Sequence, residues 1–98
     1  MKVIIKSFVC LDQNVSWVNG IYPVKKEETA EIEFKELVND FRENPPEGTT
    51  ILRENSMGGN GVSFTVHDNN DDSHEHIRTF ELFDIGYLMQ KMRGHDVR

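Results

Sequence analysis

The stretch from Thr49 to Phe83 constrains the fold more than any other part of the chain. Thr49 to Asn55, Val62 to His67 and His74 to Phe83 have the pattern of strands. A glycine-rich turn at Ser56 to Gly61 and a polar loop at Asp68 to Ser73 separate them, so the three strands form an antiparallel meander. A meander with one apolar side needs a second layer, and the remainder of the chain supplies candidates for it.

From Phe34 the apolar spacing changes to that of a helix. Phe34, Leu37, Val38 and Phe41 follow i, i+3, i+4, i+7 and line one side, and Pro45-Pro46 ends the segment. Residues 29 to 33 admit two readings, a short strand or the first helical turn with Thr29 as N-cap. A second amphipathic helix is expected after Asp84, with Ile85, Leu88, Met89 and Met92 as its stripe and Gly94 at its end.

Ahead of the first helix, Val3, Ile5 and Val9 alternate with Ile4, Phe8 and Cys10, so both faces of this extended segment are apolar and it belongs inside a sheet. Asn19-Gly20, between Trp17-Val18 and Ile21-Tyr22, is a strong local signal for a type I′ hairpin turn, and Pro23 confines the returning arm to a sheet edge. A short, peripheral hairpin is the expectation. Together these elements predict an α+β domain over residues 1–94. It has an antiparallel sheet of about four to five strands, order ββαβββα, two amphipathic helices on one face, and a frayed tail at 95–98.

Several chemistries find little support. Cys10 is the only cysteine, which rules out a disulfide within the chain, and its apolar neighbours make it a packed thiol rather than a nucleophile. The glycine-rich turn leads into a strand, whereas a phosphate loop leads into a helix. Asp68, Asn70 and Asp72 imitate the start of a calcium loop, but Ser73 and Thr79 occupy the positions that need glycine and a bidentate carboxylate. His67, Asp72, His74 and His76 offer an alternative set for zinc or nickel. No cofactor is expected, and with no catalytic constellation the chain reads as a non-enzyme.

The charge pattern is the sharpest functional signal. Between Glu27 and Glu47 lie eight carboxylates and two bases, Lys35 and Arg42, which leaves nine acids and nine bases in the rest of a chain of net charge −6. Glu33, Glu36, Asp40 and Glu43 gather on one outer side of the helix. This acidic face predicts docking on a basic surface of another protein, as in an inhibitor or immunity-type protein that covers the groove of a nucleic-acid-binding enzyme. Direct nucleic-acid binding is disfavoured, because no basic stripe is present. No bilayer-length apolar run occurs, and the lone cysteine suits a reducing, cytoplasmic setting. The alternative to docking or metal binding is a structural homodimer, formed through an exposed strand edge near Pro23 or the third meander strand.

Overall fold

The computed structural model of the protein describes residues 1–10, 13–70 and 75–84. Five strands, β1 (Lys2–Cys10), β2 (Val15–Pro23), β3 (Thr49–Ser56), β4 (Gly61–Asp68) and β5 (Glu75–Asp84), form one antiparallel sheet. A single 3₁₀ turn (Glu27–Thr29) leads into α1 (Ala30–Glu43), the one α-helix among the described residues. The α+β class and the chain order ββαβββ follow the sequence pattern. The expected second helix and the tail after it lie outside the described residues. No helix among those described is long and apolar enough to cross a membrane.

The strands stand in the order β2-β1-β5-β4-β3. β1 lies between β2 and β5, an interior strand as its pattern predicts, and Val3 and Ile4, neighbours on opposite sides, are both buried. The third meander strand, β5, is therefore not an edge, as the homodimer reading required of it. It is the middle strand, and among the described residues the edges of the sheet belong to β2 and β3.

The helix packs on one face. Ala30, Phe34, Val38 and Phe41 meet Ile4, Phe64, Val66, Phe80 and Leu82, with Leu37 partly buried beside them. Three rings form the centre: Phe41 lies 5.0 Å from Phe64 and 5.2 Å from Phe80, and Phe64 meets Phe80 edge-on at 5.7 Å. Tilted and edge-on contacts set the positive rim of one ring against the negative face of the next.

Of the two readings of residues 29 to 33 the helical one holds, and two expectations about β2 are revised. Thr29 stands at the N-cap, yet its hydroxyl meets Glu33 and the Lys26 carbonyl rather than a helical N–H. Asn19-Gly20 is not a turn, and the hairpin is not short. Both residues sit inside the nine-residue β2, where pairing passes from Ser7–Val18 to Lys6–Gly20 and leaves Asn19 as the extra residue of a β-bulge. Gly20 serves a different purpose: the Tyr22 ring folds back over it, and a Cβ at that position would stand 2.9 Å from Tyr22 Cε2. The chain reverses instead before β2, where Asn14 takes a positive φ of 52°. The glycine-rich turn behaves as expected. Gly58 and Gly59 have positive φ, and Met57 N–H donates to the Gly61 carbonyl at 3.0 Å to close the β3–β4 hairpin.

Candidate functional site

Charge is distributed unevenly around α1. Because the buried stripe runs through Phe34, Val38 and Phe41, the residues flanking it point to two different neighbours. On the side toward the β3–β4 turn are both bases of the acidic span. Lys35 and Arg42, with Asn39 between them, line a cleft of about 460 Å³ closed by Gly59 and Asn60. Arg42 is held there by Glu54 of β3, with Nε donating to Oε1 and Nη2 to Oε2, each at 2.8 Å, and it also donates to Asn39 Oδ1. This paired geometry lowers the Glu54 carboxyl below its usual range and raises the Arg42 guanidinium.

Toward β2 the helix presents acids. Glu33, Glu36 and Asp40 line a groove of about 790 Å³ between α1 and the end of β2, with Tyr22, Ile32 and Leu37 as its apolar part and with Lys25 and Lys26, from the segment that follows β2, in the same lining. Of the four predicted docking residues the groove therefore brings together three. Glu43 is exposed on the last turn and does not line it. Ile32 is 58% exposed and Tyr22 43%, so the acids border an apolar surface rather than open solvent alone.

The three groove acids differ in what they already touch. Glu36 and Asp40 are exposed, and Asp40 accepts a bond from Asn44 Nδ2 at 3.2 Å. Glu33 is half-buried and engaged: its carboxylate accepts from Lys25 N–H at 3.0 Å, from Lys26 N–H at 3.4 Å and from the Thr29 hydroxyl at 3.1 Å. The Lys25 bond, followed by those from Lys26 and Thr29, pulls the Glu33 carboxyl below its ordinary value of 4.5. Glu33 thus anchors the segment between β2 and α1, a role the charge pattern did not disclose.

Because its folded value is depressed, the Glu33 contribution to stability is fully present above the unfolded carboxylate pKa and is lost as pH falls through the folded one. Glu33→Ala is expected to lower the melting temperature at pH 7, and the gap to the parent should narrow as pH drops well below 4.5. Thermal melts of both proteins at neutral and acidic pH check this. A gap independent of pH would show that the carboxylate bonds contribute nothing.

The two described histidines of this set, His67 and His76, do not converge. His67 pairs with Glu75 and His76 with Val66, adjacent positions whose side chains leave opposite faces of the sheet. Asp72 and His74 lie outside the described residues. No cluster of three or more His, Cys, Asp or Glu side chains suited to a metal occurs among the described residues. His76 has a different setting: Phe8 stacks on its ring at 4.5 Å and Arg78 Nε donates to its Nε2 at 3.2 Å, which occupies the lone pair a metal would use. The guanidinium of Arg78 lies 4.7 Å above Phe8, and burial pushes it below its usual value. Trp17 stacks on the other side of Phe8 at 4.3 Å. This row of Trp17, Phe8 and His76 crosses β2, β1 and β5, and only their adjacency in the sheet reveals it.

No protein-family model, curated protein or solved structure matches the chain.

Proposed function

We propose that the protein is a small non-enzymatic binding module whose acidic groove, between α1 and the end of β2, docks on a basic surface of another protein. The observation that carries this reading is the division of charge across α1. Along the helix, Lys35 and Arg42 face the β3–β4 turn with Glu31, and Arg42 is neutralised there by Glu54, while Glu36 and Asp40 stand exposed on the other side, where the bases of the groove, Lys25 and Lys26, come from outside the helix. Exposed carboxylates attract lysine and arginine at long range and fix their approach. Tyr22 and Ile32 beside them supply the apolar area that a charged rim alone lacks. Carboxylates at helical spacing can occupy the places of phosphates, so the partner class we propose is an enzyme with a nucleic-acid-binding groove, held by an inhibitor or immunity-type protein. Glu33, already bonded to Lys25 and Lys26, orders the groove wall instead of reaching the partner.

The test is capture from lysate by immobilised protein, compared with the triple variant Glu36→Lys, Asp40→Lys and Glu43→Lys. We expect the parent to retain a basic protein and the variant to lose it, with melting temperatures nearly equal because all three positions are exposed. Equal capture by both would refute the reading.

A further inference from the structure

We propose that β2 is the seam between two copies of this chain, paired antiparallel about a two-fold axis at Trp17. This goes beyond the acidic groove and uses the opposite end of the same strand. Of the large apolar side chains that the described residues leave exposed, five belong to β2: Val15, Trp17, Val18, Ile21 and Tyr22. No residue of β2 carries a charge, in a chain that is 29% charged. The other free edge is built differently. β3 carries Arg53 and Glu54, and Glu54 is tied to Arg42 of the helix, which places a charged pair along that edge. Charges on an edge strand oppose pairing with another chain, and β2 has none.

The backbone of β2 limits where a partner strand can add. Val24 N–H donates to the Lys2 carbonyl, so by alternation along the Val3–Pro23 register the main-chain groups of Gly20 and Tyr22 face β1, and those of Ile21 and Pro23 face outward. Pro23 has no N–H to offer, which closes that end. The bulge at Asn19 turns the strand between its two arms. The arm from Val15 to Val18 remains. There Trp17 and Val15 oppose Phe8 and Cys10, whose backbone groups face β2, so Ser16 and Val18 present their N–H and C=O groups to the free edge.

Two such arms are self-complementary. With the axis at Trp17, Ser16 of each copy pairs with Val18 of the other through reciprocal N–H···O=C bonds. The two indoles then face one another at a non-hydrogen-bonded position, where side chains stand closest. Each indole is already fixed by its stack on Phe8, so little freedom is lost on pairing. Antiparallel pairing also keeps the negative surfaces apart. Pro23, beside the acidic groove, is six residues from the axis, so the two grooves lie roughly 40 Å apart at opposite ends of the seam, several times the ~8 Å screening length. A seam of three paired residues on each strand, Ser16 to Val18, covers less than the about 800 Å² per partner of a standard interface, so the dimer is expected to dissociate on dilution.

Sedimentation or light scattering across a concentration series up to millimolar tests the proposal. The mass should rise from 11.4 kDa toward twice that value, and the emission of the single tryptophan should shift to shorter wavelength with the same midpoint. Val18→Lys, at a position 56% exposed, should keep the melting temperature and remain monomeric. Ser16→Pro removes a free-edge donor without touching the β1 ladder and should weaken association in the same direction. A monomeric parent at every concentration overturns the proposal and leaves this edge to some other partner. An equally strong dimer in a folded Val18→Lys or Ser16→Pro variant overturns it as well, because the seam would then lie elsewhere.

Discussion

Phe64→Ala is expected to destabilise the protein by about 3–5 kcal/mol, the range for truncating a buried aromatic ring. Phe64 is fully buried in β4, and its ring touches both Phe41 of the helix and Phe80 of β5. Removing it opens a cavity at the centre of the helix–sheet interface, between the two remaining rings. Small domains have only about 5–15 kcal/mol in total, so much of the stability disappears. Urea denaturation gives the measurement: the midpoint should fall steeply with little change in slope. A loss under about 1 kcal/mol would mean that the core collapses around the void and that the triad is not its keystone.

The second large effect concerns rate rather than stability. If the acidic groove steers a basic partner, the association rate constant should drop by one to two orders of magnitude between low and physiological salt, since exposed charges are screened within about 8 Å at 0.15 M. The Glu36→Lys, Asp40→Lys, Glu43→Lys variant should associate more slowly at low salt. Its rate should also rise rather than fall as salt is added, because repulsion is what becomes screened. Stopped-flow measurements over an ionic-strength series, once a captured partner is in hand, distinguish the two slopes. Identical salt slopes for parent and variant would remove electrostatic steering as the groove's purpose.

Features set by local spacing were legible before the fold was known. The helical repeat of Phe34, Val38 and Phe41 and the stop at Pro45-Pro46 agree with α1, and the meander spans agree with β3 to β5 within a residue or two at their ends. Features set by distant partners were not. Asn19-Gly20 carries the same local signal in a hairpin turn as in a bulge, and the choice between them is made by β1 running alongside. Similarly, Glu33 looked like one more member of an acidic row, because its bonds to Lys25 and Lys26 exist only once the segment after β2 curls onto the helix start. The acidic face itself was readable from spacing. Its division from Lys35 and Arg42 needed Glu54, twelve residues beyond Arg42, to arrive beside the helix.

The sheet order has a kinetic consequence. β1 with β2, and β3 with β4 and β5, are pairs of near neighbours in sequence, and each group can assemble by closing short loops. A single ladder, β1 against β5, joins residues 2–9 to residues 77–84 and welds the groups together. That weld closes the longest loop in the fold, and sheets dominated by such non-local pairing fold in milliseconds to seconds rather than microseconds. Substitutions along β1 and β5, such as at Ile4 or Leu82, should therefore slow refolding, whereas those within the β3–β4 hairpin should chiefly speed unfolding. Until the weld forms, both halves present raw strand edges. The time spent in that state, more than the depth of the final energy well, sets how readily the chain aggregates while it folds.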